Sequence, residues 1–245
     1  MGKGWAKGLT ALTDPRVALN ARTRRGRARG PYRKRPRSEW TWTSDIAYAV
    51  GLIATDGSLS RSGRHVAMSS AEIEMLETFL HCIGRRAKIS TVKSGYGSTT
   101  LRVQVGDVGL YEWLLTVGLV PRKSHVLRGD RRAFRVSCHL VRGLLDGDGS
   151  VMDVTYDGTG KARGKRYRTL LVRFVSASRD HITWLQERIS SQFQLAGAVQ
   201  CQQGMWSLAY AKRASLALLG MLYPDANVPC LRRKREVWER FVRES

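Results

Sequence analysis

The chain has 245 residues, 42% of them hydrophobic, and carries 42 Lys and Arg against 20 Asp and Glu, a net charge of +22 with a pI near 10.8. That length suits one large or two small domains with real cores, and so much like charge repels itself unless a polyanion compensates it, which favours nucleic acid as the partner. No apolar run can span a bilayer, no long basic amphipathic helix suggests a membrane surface, and the polar, glycine-rich start is no signal peptide, so an intracellular protein is expected, in a bacterial cytoplasm or nucleoid or in an organelle.

Residues 1–43 read as a basic arm. Residues 1–37 hold twelve Lys and Arg against the single acid Asp14, half the net charge of the chain. A short helix fits near Trp5–Thr10 or Asp14–Ala18. From residue 22 to 37 there is little to bury. That stretch, with Arg24, Arg25, Arg27, Arg29, Arg33, Lys34 and Arg35, is expected to stay unfolded until it meets a phosphate backbone.

Residues 44–125 form the first of two similar stretches. Ser44 suits an N-cap, and residues 45–56 run without a breaker to Asp-Gly, which ends a helix. Strands are expected at 64–69, 87–93 and 99–105, with helices at 71–83 and 107–117. In 99–105, Thr100, Arg102 and Gln104 alternate with Leu101, Val103 and Val105, a strand with one apolar and one polar face. Residues 126–245 repeat the order: helix 135–148, strands 150–156 and 168–176, helix 179–193, strands 198–203 and 205–210, and helices 212–222 and 229–242. Each stretch reads helix–strand–strand–helix–strand–strand–helix, an α+β protein with internal pseudo-symmetry.

The repeats are marked by two nearly identical phrases. Residues 49–57 read Ala-Val-Gly-Leu-Ile-Ala-Thr-Asp-Gly and residues 141–149 read Val-Arg-Gly-Leu-Leu-Asp-Gly-Asp-Gly. Alone, each Asp-Gly is an ordinary turn. On helices, Gly51 and Thr55, like Gly143 and Gly147, make a small-residue stripe that allows close packing. Packing the two helices together brings Asp56 and Asp148 side by side at negative helix ends, an arrangement that divalent cations relieve. Oxygen ligands suit Mg2+, and a paired site of this kind supports phosphodiester hydrolysis. Asp146 and Asp148 do not open a calcium loop, because Val151 stands where that loop needs glycine. Cys82, Cys138, Cys201 and Cys230 form no close Cys-x-x-Cys pair and, with the five histidines, no zinc spacing, so reduced and mostly buried thiols are expected.

Both phrases resemble the motif for which the LAGLIDADG homing endonucleases are named, in the single-chain, two-motif form, and the resemblance covers about residues 40–243. It implies two αββαββα repeats whose motif helices form the interface and whose four-stranded antiparallel sheets form a DNA-binding saddle. It implies that Asp56 and Asp148 are catalytic and bind two or three Mg2+ ions, with Mn2+ or Ca2+ able to replace Mg2+ for binding. Gly57 and Gly149 then adjoin the metals. Ser69 and Ser176 match a family position that holds water beside them. The basic residue that the family keeps near each active centre maps to Lys123 and Lys234. Ala54 departs from the motif where Asp146 keeps it. Arg142 replaces a small residue and is expected to point away from the interface.

Sequence readout would fall to the outward strand faces. Arg102, Gln104, Arg173, Gln200 and Gln202 can read purine edges, joined by Arg64, Lys88, Thr100, Tyr167 and Thr169. The expected protein is a monomer acting on double-stranded DNA, with no membrane and no small-molecule substrate, and it makes a double-strand break with short 3′ overhangs. Two alternatives share the fold: a DNA-binding regulator that does not cut, and an RNA maturase acting on an intron.

Overall fold

The computed structural model describes residues 8–25, 38–93, 99–121, 137–160 and 163–245. The chain divides into two compact units, Met1–Arg37 and Ser38–Ser245. In the first, helix α1 spans Pro15–Arg25. Pro15 opens it with a preset φ, and Asp14 Oδ1 accepts from the Arg16 N–H at 2.8 Å. The helix therefore runs into the stretch expected to be unfolded from residue 22, because its alanines and arginines are good helix formers behind a strong start signal. Arg24 and Arg25 close it as backbone. Their side chains, and Arg27, Arg29, Arg33, Lys34 and Arg35, lie outside the described residues.

The second unit is α+β and holds the repeat twice. The first copy runs α2 (Ser44–Thr55), β1 (Gly57–Leu59), β2 (His65–Ser70), α3 (Ile73–Cys82), β3 (Ser90–Lys93), β4 (Thr99–Gly106) and α4 (Val108–Thr116). The second runs α5 (Cys138–Asp148), β5 (Gly149–Asp157), β6 (Arg166–Ser176), α6 (Arg179–Phe193), β7 (Ala198–Gln202), β8 (Met205–Tyr210) and α7 (Lys212–Leu222), followed by α8 (Arg232–Arg243). Each copy forms a four-stranded antiparallel sheet, in the orders β1-β2-β4-β3 and β5-β6-β8-β7.

The structure differs from the expectation at particular residues. Thr43, not Ser44, caps α2, its hydroxyl accepting from the Ile46 N–H at 3.1 Å. Strand β1, which the repeated order implies but to which the sequence assigns no bounds, is three residues long and follows its helix without a loop. Strand β3 begins at Ser90, so Lys88 precedes it, and Arg64 precedes β2. Of the thiols, only Cys82 is buried, and burial pushes it up to about 12. Cys138 and Cys230 are half-buried. Cys201 is exposed because β7 is an edge strand that ends beyond the core.

One hydrophobic cluster joins both copies. The inner faces of the sheets supply Val66, Met68 and Val103 on one side and Leu170, Val172 and Phe174 on the other. The motif helices α2 and α5 run between them with Leu52, Ile53, Leu144 and Leu145 buried. Each such side chain contributes about 1.5–3 kcal/mol by leaving water, so burial fixes which strand face is left outside.

Candidate active site

Helices α2 and α5 meet backbone to backbone. A Cβ on Gly51 would stand 2.5 Å from the Leu140 carbonyl oxygen and 2.8 Å from the Gly143 Cα, and a Cβ on Gly143 would collide with the Tyr48 carbonyl. The small-residue stripes are therefore the contact itself. One turn on, a Cβ on Gly147 would overlap the Thr55 hydroxyl and lie 2.9 Å from Asp56 Oδ2. The Asp56 carboxylate thus lies against the residue that precedes Asp148. Asp56 is the C-cap of α2, and Asp148 is the last residue of α5 and exposed.

Both acids sit at a turn with no slack. Gly57 and Gly149 start strands immediately after the helices, and each has its own helix in the way of a side chain. A Cβ would be 2.7 Å from the Ile53 Cα and 2.6 Å from the Leu145 carbonyl oxygen, respectively. The Ser69 N–H reaches the Asp56 carbonyl at 3.4 Å, tying β2 to the first acid.

Beneath Asp148 lies a buried polar group that the first copy lacks. Asp146 is fully buried. Its Oδ2 accepts from the Tyr48 hydroxyl of α2 at 2.9 Å and from the Leu231 N–H at 2.8 Å. Burial pushes its carboxyl up to about 6, against the pull of these donors and of Lys234 and Arg142. Burial, and then Asp146, push the Tyr48 hydroxyl well above its usual value, so it remains the donor. Arg142 is also fully buried, and contrary to the expectation it does not leave the interface, since its guanidinium lies 5.6 Å from the centre of the Tyr48 ring of α2. It donates to the carbonyls of Leu222 at 2.6 Å and Pro229 at 2.7 Å, at the end of α7 and in the chain leading to α8.

Lys234 is buried too. Its ammonium donates to the carbonyls of Leu145, Asp146 and Gly149, each at 2.7 Å. It caps the C-terminus of α5, where a positive charge suits the helix dipole. Burial lowers it to about 8, while Asp146 and Asp56 pull the other way. Its short hydrogen bonds go to main chain and not into solvent. Lys123 lies outside the described residues.

Residues Ser69 and Ser176 are one register apart. Gly57 pairs with Met68 and Gly149 with Phe174, so the counterpart of Ser176 is Ser70. Both hydroxyls accept from the N–H two residues on, Glu72 at 3.0 Å and Ser178 at 3.1 Å. Ser176 lines a pocket of about 270 Å³ beside Asp148, with Ala54, Thr55 and His181. The sequence reading missed His181. Its counterpart in the first copy is Met75, which lies seven residues after Met68 as His181 lies seven after Phe174, a contrast that spacing alone does not flag as functional.

The expected readers fall on one face of each sheet. Arg102 pairs with Ser69 and Ser90, and Gln104 with Ala67. Thr100 shares that face. Arg173, Thr169 and Tyr167 alternate with the buried Leu170, Val172 and Phe174, and Gln200 and Gln202 pair with Ser207 and Met205. Arg64 and Lys88 are exposed beside the first sheet.

The donors at the paired helix ends are hard oxygens, and Gly147 leaves open the space against Asp56 that any side chain would fill, so the residues present fit a divalent cation. Among the described residues no three of His, Cys, Asp and Glu gather into a metal centre, so such a cation would need water or phosphate oxygens to complete its shell. No described helix is long and apolar enough to cross a membrane.

No family model matches the chain, and no curated protein does. Solved structures do. The homing endonuclease I-WcaI, bound to its DNA recognition sequence, has 12% identity and a TM-score of 0.56, over 84% of this chain and 95% of that one. The I-LtrWI LAGLIDADG homing endonuclease, bound to target DNA, has 12% identity and a TM-score of 0.53, over 82% of this chain and 89% of that one. Full-length DUF199/WhiA from Thermatoga maritima has 13% identity and a TM-score of 0.49, over 84% of this chain, which spans only 62% of that protein. At such identities the likeness is one of fold, and the fold is the two-repeat LAGLIDADG fold.

Proposed function

We propose that the protein is a site-specific DNA endonuclease that binds a long duplex across its two sheets and hydrolyses one phosphodiester in each strand. The observation that supports this reading is the contact of Asp56 with Gly147 at the meeting of two repeated helix ends. Ordinary packing has no reason to crowd carboxylates there. Asp56 and Asp148 would hold divalent cations, Mg2+ in the cell. When bound, these supply charge stabilisation and an activated water. The remaining work belongs to the chain. The glycine stripes fix the separation of the acids, the Tyr48–Asp146 bond fixes the rotation of α2 against α5, and Lys234 holds the last turn of α5 in place. The sheets position the duplex, and the basic arm adds phosphate contacts. The DNA-bound states of I-WcaI and I-LtrWI fit this role.

A second reading, a DNA-binding protein that does not cut, is favoured by Lys234, whose short hydrogen bonds go to main-chain carbonyls. Incubating the protein with a random duplex library and Mg2+, then mapping breaks, separates the two. Discrete double-strand breaks within one sequence establish the nuclease. Enrichment of a bound sequence without breaks, in Mg2+ and in Mn2+, establishes the non-cutting protein.

A further inference from the structure

The two outward sheet faces differ in chemistry although they match in topology. Aligning β2 with β6 and β4 with β8 through their ladders sets His65 against Leu171, Ser69 against Val175, Arg102 against Ser207 and Gln104 against Ala209. At these four positions the first sheet presents hydrogen-bonding side chains and the second presents aliphatic or short ones, whereas at Ala67 against Arg173, Ser90 against Gln200 and Val92 against Gln202 the longer polar side chain is on the second sheet. The second sheet then extends its face beyond anything in the first. Strands β5 and β6 run nine and eleven residues and add the same-face pairs Met152–Leu171, Val154–Thr169 and Tyr156–Tyr167. The core lies on the other side, with Val151, Leu170 and Val172 buried. Tyr156 and Tyr167 stack at 5.6 Å while 51% and 39% exposed.

An apolar strip on the outward face of a chain carrying +22 needs an occupant, and the surrounding charge selects a polyanion. Lys165 precedes β6, and Arg173 shares the outward face of that strand with Leu171 and Thr169. Duplex DNA offers apolar surface in its major groove in one place, the C5-methyl group of thymine. We infer that the second sheet reads its half of the target through thymine methyls, by way of Met152, Val154 and Leu171, while the first sheet reads purine edges through Arg102 and Gln104. The inference rests on the DNA-binding part of the function proposed above and is independent of cleavage.

The test uses the full chain and single-atom-group changes in the DNA. Duplexes are selected from a random library in Ca2+, and the best is remade with deoxyuridine in place of each thymine in turn, which deletes only the methyl. Fluorescence anisotropy at fixed, near-physiological salt reads the affinity. Deletion of a contacted methyl in the second half should weaken binding about three- to fourfold, the loss expected for one buried carbon. The Val154→Ser or Leu171→Ser protein should bind the thymine and deoxyuridine duplexes equally at one of those positions, and circular dichroism checks that each variant is folded. Indifference to deoxyuridine throughout the second half overturns the inference, as does a full methyl effect retained by both variants. Concentration-dependent dimerisation abolished by Leu171→Ser also overturns it, by assigning the strip to a second copy. Failure to enrich any duplex is a different result and overturns the DNA-binding reading itself.

Discussion

The Tyr48 hydroxyl of α2 donates to Asp146 Oδ2 of α5 at 2.9 Å, a buried side-chain hydrogen bond between the two motif helices. It crosses the pseudo-symmetry axis without a counterpart, since Ala54 stands where Asp146 does. Tyr48→Phe keeps the ring and deletes the donor. It should cost about 1–3 kcal/mol, the loss from leaving a buried acceptor short of a partner, as read by urea unfolding. A change in midpoint with an unchanged slope is expected; no change would mean the bond has no role in joining the copies.

Asp56→Asn and Asp148→Asn each keep the shape of the side chain and remove one anionic ligand. Each should abolish cleavage of the selected target while changing duplex affinity in Ca2+ by less than about tenfold. Normal cutting by both variants would remove the acids from the chemistry.

The glycine stripe makes a packing prediction. Gly143→Ala places a methyl group into the Tyr48 main chain, which cannot yield as a side-chain tip would. The expected destabilisation is at the top of the overpacking range, about 3 kcal/mol. Gly220→Ala, where nothing lies within 4 Å of a Cβ, is the control and should stabilise α7 slightly.

Acid stability should depend on Asp107, the N-cap of α4. Burial pushes its carboxyl up, but the Leu110 N–H at 2.9 Å, the Arg85 guanidinium at 2.7 Å and the Ser38 hydroxyl at 3.0 Å outweigh this and hold it below its usual range. A depressed folded-state value means the contribution is complete above the unfolded carboxyl range near pH 4 and is lost as pH falls through the folded value. Asp107→Asn should lower the melting temperature at neutral pH and flatten its fall below about pH 4. An identical acid profile would show that another carboxylate dominates.

Deleting residues 1–37 removes twelve basic side chains. DNA affinity should drop and its salt dependence should flatten, with the position of any cut unchanged. An unaltered salt slope would mean that the arm makes no phosphate contacts.

Most of the fold was legible because its signals are local and repeated. Alternation in 99–105 and 168–176, and the uninterrupted run from Ile46 to Thr55, each reflect burial on a fixed period. The repeated glycines were legible as a helix contact for the same reason. What escaped depended on tertiary partners. Strand β1 exists because Gly57 lets the chain turn straight onto β2. Matching Ser70 to Ser176 needed ladder register, because the adjacent serine at 69 offers the same residue type one step away. The burial of Lys234 was invisible in a stretch as basic as Arg232–Arg235, where a solvated face is the natural reading. Its destination, the carbonyls of α5, lies about 85 residues away.

At Gly149 helix α5 becomes strand β5 with no residue in between, and at Gly57 only Asp56 itself separates α2 from β1. Each acid is therefore a pivot shared by the element that would touch bases and the element that packs the two copies together. On the proposed reading, a strand that slid to follow a mismatched duplex would drag its carboxylate along, since there is no slack chain to absorb the shift. Fidelity would then need no separate checkpoint: a poorly seated target would misalign the acids by the same displacement that weakens its own contacts.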